Sequence, residues 1–301
     1  MIATGIDLGG TKIEVQLFDA DWRVVARDRR PTPTDYDALV QAVADAAHWA
    51  DDQAGQALPV GVGAPGLLNP ATGLVLTANL PATGRPLPAD VSAALSRPVT
   101  YINDCRAMAL SEAVFGLGRG HRTVMSLIVG TGVGGGVAVD QAILTGPTLT
   151  GGEFGHVSAP AHIVAKHDLP VVTCGCGRVG CIETLIAGPG MTRLAQHLTG
   201  EAALPPDIAG RRDGNMAQVW QVWCALTADL LHSLTLTVDP DLIVLGGGLS
   251  QIDGLIPALT AAAQDAQIGD YDTAPLALAE GGDTSGARGA ALVAFREATG
   301  G

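Results

Sequence analysis

The sequence predicts an α/β protein made of two related halves. Three observations carry that expectation: a strand, glycine turn, strand pattern that occurs twice, an alternation of strand-like and helix-like segments around it, and a composition that can fill a core. Of 301 residues, 47% are hydrophobic and only 16% charged, so the chain can support one large domain or two medium ones with a cleft between them.

The first copy of the pattern is Thr4-Gly5-Ile6-Asp7-Leu8-Gly9-Gly10-Thr11-Lys12-Ile13-Glu14-Val15-Gln16-Leu17-Phe18, and the second runs from Ser126 through Gly130-Thr131-Gly132-Val133-Gly134-Gly135-Gly136 to Val139. Each reads as an apolar strand, a glycine turn and a second strand rich in β-branched residues. Between and after them the pattern predicts a helix over 36–54, a strand over 60–62, a helix over 89–95, a strand over 99–102 and a helix over 104–115. A long loop-rich stretch follows the second copy, then a helix over 216–237, a strand over 242–245 and a terminal helix over 287–297. Strands alternating with helices indicate α/β architecture. The glycine-rich run Phe115-Gly116-Leu117-Gly118-Arg119-Gly120 marks the boundary between halves.

Charge and hydropathy exclude several partners. With 30 acidic against 17 basic residues, a net charge of −13 and no basic cluster, an extended phosphate backbone would be repelled, so nucleic acid is not an expected partner. The first residues lack the basic start and apolar core of a secretory signal. Apolar stretches such as Leu242 to Leu245 fall far short of the roughly 20 residues a membrane span needs. A soluble, cytoplasmic protein is expected. Three of the five cysteines, Cys174, Cys176 and Cys181, fall within eight residues, which suits a metal cluster better than a disulfide framework and fits a reducing compartment.

Glycine turns serve phosphates because a residue without Cβ lets backbone N–H groups approach an anion. Either turn alone reads equally as an ordinary hairpin, but the duplication favours a shared nucleotide site. Asp104 closes a strand and opens a helix, a position that fits a catalytic carboxylate in a cleft or a plain helix cap. The spacing Cys-x-Cys-x₄-Cys with His156 upstream supplies four ligands of the types zinc prefers, enough to close a structural site. His162 and His167 lie in the same stretch as alternatives for the histidine. Cys105 and Cys224 are expected to be packed thiols.

Four motifs, Asp7-Leu8-Gly9-Gly10-Thr11-Lys12, Gly130-Thr131-Gly132-Val133-Gly134-Gly135-Gly136, Gly151-Gly152-Glu153-Phe154-Gly155-His156 and Cys174-Gly175-Cys176-Gly177-Arg178-Val179-Gly180-Cys181-Ile182-Glu183, together resemble the ROK family (repressors, open reading frames, sugar kinases) over essentially the whole chain. The resemblance implies an actin-like, ribonuclease-H-like fold with two lobes closing over ATP, Mg²⁺ and a sugar, usually as a homodimer, with the final helix returning to the first lobe. The expected lobes are 1–116 plus 287–301, with the first phosphate turn and catalytic Asp, and 117–286, with the second phosphate turn, zinc loop and adenosine turn. The stretch Ala78 to Leu87, Ala109-Leu110-Ser111-Glu112-Ala113 and Val238 to Ser250 resemble those of bacterial N-acetylglucosamine kinases within the family.

The resemblance implies Asp104 as the base that takes the sugar hydroxyl proton, with Asn103 as a sugar contact. Glu153, His156 and Glu183 match the family's sugar-binding set, with Gly66 and Asn79 as additions. Asp7 is expected to hold Mg²⁺ directly or through water. Gly9, Gly10, Thr11, Gly130, Thr131 and Gly132 form the phosphate cradle, and Gly246, Gly247 and Gly248 face the adenosine. Lys12 reads as a phosphate contact or as a solvated edge-strand lysine. His156, Cys174, Cys176 and Cys181 are the structural Zn²⁺ ligands, His156 serving metal and sugar through different ring nitrogens. One departure stands beside the base: relatives commonly have a small residue and Asn after this Asp, where this chain has Cys105 and Arg106, and Arg106 is assigned no role.

The expected activity is ATP-dependent phosphorylation of N-acetyl-D-glucosamine at its 6-hydroxyl. The alternatives are a ROK kinase for glucose, fructose or N-acetylmannosamine, and a non-catalytic sugar sensor. A repressor would carry a DNA-binding module ahead of the Asp7 motif, where this sequence has six residues.

Overall fold

A computed structural model describes residues 1–281 and 285–300, so residues 282–284 and 301 of the expected lobes lie outside the described residues. The chain divides into two compact units, 1–116 with 142–151 and 281–301, and 117–141 with 152–280.

In the first unit, strands β1 (Ala3–Leu8), β2 (Lys12–Phe18), β3 (Val24–Pro31), β4 (Val60–Ala64) and β7 (Thr100–Asn103) form one sheet in the order β3-β2-β1-β4-β7. Strand β1 is antiparallel to β2 and parallel to β4, and β4 is parallel to β7. A small hairpin of β5 (Leu67–Leu68) and β6 (Val75–Leu76) follows β4. Helix α1 (Tyr36–Ala54) begins at Asp35, whose side chain accepts the Ala38 N–H, and ends at Gly55 in the left-handed region. Its Leu39, Val43 and Ala47 join Ile6, Val15 and Val62 of the sheet in one core, with Leu87 and Val91 of α2 (Leu87–Leu95).

Helix α10 (Ser285–Thr299) contacts β1, β4 and also α3 (Asp104–Phe115). Small residues permit this approach. A Cβ at Gly5 would stand 2.0 Å from the Ala287 carbonyl oxygen, one at Gly61 2.0 Å from that of Ala290, and one at Gly289 1.8 Å from that of Ala107. The alanines Ala287, Ala290, Ala291 and Ala294 of α10 are all buried. With helices on both faces, β1, β2 and β4 are buried nearly throughout, and the alternating sequence of β2 places Glu14 and Gln16 among the buried polar residues.

The second unit repeats the arrangement. Strands β8 (Thr123–Val129) and β9 (Val133–Val139) form an antiparallel hairpin, and β11 (Leu242–Gly246) runs parallel to β8 and to β12 (Leu276–Leu278). The neighbours β9-β8-β11-β12 thus match β2-β1-β4-β7 in order and direction. Met125, Leu127, Ile243 and Leu245 of this sheet share a core with Trp223, Leu226 and Leu230 of α8 (Ala217–Val238) and Leu255 and Leu259 of α9 (Leu255–Ala266).

The stretch read as loop-rich carries helices of its own: α4 (Ala161–His167), α5 (Glu183–Ile186), α6 (Gly188–Thr199) and α7 (Pro205–Gly210). Helix α9 and strand β12 are likewise absent from the sequence reading. The two-residue strand β10 (Ala142–Ile143) belongs to the first unit. Among the described residues no helix is long and apolar enough to cross a membrane.

Candidate active site

In the first unit the turn after β1 is tight. Gly9 N–H donates to the Lys12 carbonyl at 2.9 Å, and Thr32 from the end of β3 braces it, its hydroxyl donating to Gly9 O at 2.6 Å and its N–H to Thr11 O at 3.1 Å. Neither Gly9 nor Gly10 has a positive φ. Close approach is what demands glycine here, since a Cβ at Gly10 would stand 2.9 Å from Asn79 O. The Gly9–Thr11 turn and Asn79 are therefore neighbours. Asp7 sits one residue before the end of β1, and a Cβ added at Gly286 in the first turn of α10 would be 3.5 Å from its Oδ1.

Strand β7 delivers Asn103 and Asp104 to the start of α3. Asn103 is the cap: its Oδ1 accepts the N–H groups of Cys105 and Arg106 at 3.0 and 3.2 Å, while its Nδ2 donates to Gly66 O at 3.1 Å. Gly66 must be glycine, with φ of +101° and a would-be Cβ 2.2 Å from Leu76 O. Asn103 thus takes the cap position, and Asp104 Oδ1 accepts the Cys105 N–H at 2.8 Å. Burial pushes its carboxyl above the ordinary value, opposed in part by the Cys105 N–H. A partly desolvated carboxylate with raised proton affinity suits a general base. Arg106 is buried, and its guanidinium donates to the carbonyls of Leu149 and Gly151, the former bond being short and the latter 2.7 Å.

In the second unit the other turn is built by different contacts. Gly130 N–H donates to Gly132 O at 2.9 Å, and Gly188 N–H at the start of α6 donates to Gly130 O at 2.7 Å. The turn after β11 lies against it: Gly247 has φ of +85°, its Cβ would be 2.5 Å from Val129 O, and a Cβ at Gly130 would be 3.6 Å from Gly248 N. The predicted phosphate and adenosine turns are thus brought together. Gly248 also lines a surface cavity of about 510 Å³ with Gly210, Arg212, Asp213 and Gln251. Sequence reading passed over Arg212, which stands in the charged run Arg211-Arg212-Asp213, and Gly188, masked by a Gly-Pro-Gly run that reads as a loop.

The Gly151 to His156 motif crosses β9 at close range. Cβ atoms at Gly152 and Gly155 would stand 2.3 Å from Gly135 O and from Val133 O, and the Phe154 ring covers Gly135. This seats Glu153 and His156 beside β9. The cysteine loop is a small hairpin, with bridges Thr173–Val179 and Ser158–Cys181, and with Gly177 and Gly180 at positive φ. The side chains of His156, Cys174, Cys176 and Cys181 converge, one ligand atom from each lying within 4.8 Å of all the others. His162 and His167 lie outside this cluster; His162 pairs with Asp229 at 3.7 Å. The histidine turns Nδ1 to the cluster, 3.6 Å from Cys174 Sγ, and Nε2 to Glu153, 3.8 Å from Oε2. Burial pushes the Cys174 thiol up to about 12, and the Glu183 carboxylate beside it adds to the rise. At Cys176 burial is outweighed by the Arg178 N–H and the neighbouring thiols, which bring its pKa down. Four nitrogen and sulfur donors at this spacing are a set that can close around one metal ion.

Glu183 opens α5 and joins the parts. Its Oε2 accepts the Val133 N–H at 2.8 Å, directly after the Gly130–Gly132 turn, and its Oε1 lies 3.4 Å from Cys174 Sγ and 4.0 Å from His156 Nδ1.

The family model described as "ROK family" matches residues 3–297. An N-acetylgalactosamine kinase of Shewanella sp. (strain ANA-3) is 39% identical over 295 residues, covering 96% of this chain and 95% of its own. An N-acetyl-D-glucosamine kinase of Pectobacterium atrosepticum is 39% identical over 296 residues, covering 96% and 97%. Among solved structures, a ROK family glucokinase from Streptomyces griseus in complex with glucose and AMPPNP aligns with a TM-score of 0.79 at 26% identity, covering 97% of this chain and 99% of that one.

Proposed function

This chain belongs to the ROK family, and from that premise we propose that it is an ATP-dependent sugar kinase that phosphorylates N-acetyl-D-glucosamine at the 6-hydroxyl. The observation that carries the reading is the Asp104 carboxylate. It is desolvated, next to the capping Asn103, and set at the end of a parallel strand as a hydroxyl-activating base would be.

In the proposed reaction Asp104 accepts the proton of the C6 hydroxyl as that oxygen attacks the γ-phosphorus of ATP. The bond from the γ-phosphorus to the β–γ bridging oxygen breaks, and ADP leaves. The N–H groups of the Gly9–Thr11 and Gly130–Gly132 turns are assigned to the phosphates, Lys12 to a phosphate as a point charge, and the cavity beside Gly248 to the adenosine. Asp7 is assigned to Mg²⁺, which when bound neutralises phosphate charge. Glu153, the His156 Nε2 and Glu183 are assigned to sugar hydroxyls, with Asn79, Gly66 and Asn103 as further contacts. Asn103 would do this while its Oδ1 stays committed to the helix cap.

The metal of the His156, Cys174, Cys176 and Cys181 cluster is proposed to be zinc in a structural role, because all four positions are protein donors of its preferred types. When bound it supplies a rigid cross-link that holds the His156 ring with Nε2 turned away from the metal.

A second reading is favoured by the Shewanella relative: the substrate is N-acetylgalactosamine, which differs in configuration at C4. A coupled ATP assay over N-acetylglucosamine, N-acetylgalactosamine, N-acetylmannosamine, glucose and fructose tests both. Turnover fastest with N-acetylglucosamine is expected; absence of phosphorylation across the panel would overturn the kinase reading.

A further inference from the structure

We propose that Arg106 is a positioning residue for the sugar half of the site, its guanidinium anchoring the loop that leads into Glu153. The proposal rests on the kinase reading for its functional part and on geometry alone for its anchoring part.

Arg106 lies in the first turn of α3, two residues after Asp104, and is only 6% exposed. A guanidinium that deep needs oxygen partners, and carbonyl oxygens satisfy it without introducing a second charge. Its Nε donates to Gly151 O at 2.7 Å and a terminal nitrogen donates to Leu149 O. Two bonds from one planar fork fix both position and orientation of the peptide segment, which a lysine's single ammonium on a flexible stem would not.

The anchored segment is one that would not settle by itself. Leu149 has φ of +54°, in the left-handed region that a residue with a Cβ rarely adopts. Its N–H reaches only the Gly146 carbonyl, at 3.2 Å. Residues 144–149 form no regular element, and Gly146 and Gly151 meet nothing at the position of a Cβ. Arg106 adds two bonds to a loop whose own side chains contribute one, Thr148 Oγ1 to Thr150 Oγ1 at 2.8 Å. Glu153 follows Gly151 by two residues, a reach of roughly 7 Å at full extension, and Gly152 between them is held on β9, its carbonyl accepting the Gly135 N–H at 2.8 Å, so Arg106 fixes the near end of the segment that carries the carboxylate assigned to the sugar.

The test compares Arg106→Met and Arg106→Lys with wild type in the full chain, by amide hydrogen exchange over 146–152 and by steady-state kinetics. Arg106→Met is expected to speed exchange in 146–152 by at least about tenfold, with exchange in β8 and α8 unchanged. It is expected to raise the N-acetylglucosamine KM on the order of tenfold while the ATP KM stays within about twofold. Arg106→Lys, which keeps length and charge, should fall between, and it carries the same comparison if the Met variant fails to fold. Unchanged exchange would overturn the anchoring. Sugar and ATP KM rising together, or an unmoved sugar KM despite a loosened loop, would overturn the positioning role. If wild type phosphorylates no sugar the kinase reading fails by itself, and the positioning role fails with it, whereas the exchange comparison still decides the anchor.

Discussion

The Glu183 carboxylate accepts the Val133 N–H at 2.8 Å with one oxygen while its other oxygen faces Cys174 and His156. One side chain thus touches the residue after the Gly130–Gly132 turn and the histidine–cysteine cluster at once. Glu183→Ala is expected to lower kcat/KM by about 10- to 100-fold and to weaken metal retention, because a partner of the ligands and a brace of the turn are lost together. Glu183→Gln keeps an acceptor for Val133, so its ATP KM should stay near wild type while sugar kcat/KM falls. Metal analysis after dialysis and two-substrate kinetics check both.

Asp104→Asn is expected to reduce kcat by about 10²- to 10⁴-fold with little change in sugar affinity. It should also stabilise the fold at neutral pH. A carboxyl whose folded pKa is raised favours folding below its unfolded value of about 4, and that contribution is lost as pH rises through the folded value. The neutral amide removes this penalty, so the variant's thermal advantage should shrink as pH falls toward 4. Wild-type activity should fall as pH drops over the same range, because the base becomes protonated, and the variant should lack that acid limb. Melting curves and pH–rate profiles on both proteins would show it; a less stable variant at pH 7.5 would contradict burial as the cause.

The purified protein should hold about one zinc per chain, lose it to strong chelators and melt at lower temperature afterwards. Cys176→Ser should weaken the metal and raise the sugar KM through His156. Elemental analysis finding no metal in protein never exposed to chelator would exclude the site.

Substrate preference should favour N-acetylglucosamine over glucose by at least tenfold in kcat/KM, about 1.4 kcal/mol, since one acetamido group adds a hydrogen bond and a buried methyl. N-acetylgalactosamine belongs in the same experiment, and a higher kcat/KM for it would select the second reading.

Gly289→Ala should destabilise the protein by about 1–3 kcal/mol, because the new methyl meets the Ala107 carbonyl at 1.8 Å and forces α10 away from α3. Denaturant titration measures the loss. Reduced kcat is expected with it, as α3 carries Asp104.

Much of the architecture was legible because its signals are local. The predicted 36–54 helix matches α1 to the residue, since Asp35 and Gly55 mark its ends, and Asn103-Asp104 reads as a strand-to-helix junction because it is one. The duplicated turns were legible as repeats. Helix α6 was not, because Gly188-Pro189-Gly190 reads as loop punctuation; there Pro189 occupies the first turn, where its missing N–H costs nothing, and Gly190 admits the Leu185 backbone, which a Cβ would meet at 2.6 Å. The capping duty of Asn103 and the reach of Arg106 to Leu149 were also hidden. The first is hidden because Asp104 beside Asn103 reads as a cap as well, the second because it joins residues far apart in the sequence.

The packing of α10 on β1 and β4 fixes an order of assembly on the ribosome. Residues 117–280 contain every strand and helix of the second unit's core and emerge before α10 is made, so that unit can complete itself first. The first unit, although synthesised earlier, keeps one face of its sheet bare at Gly5 and Gly61 until 285–299 arrive. For the whole of that interval the nascent first unit lacks the helix whose carbonyls lie against Gly5 and Gly61.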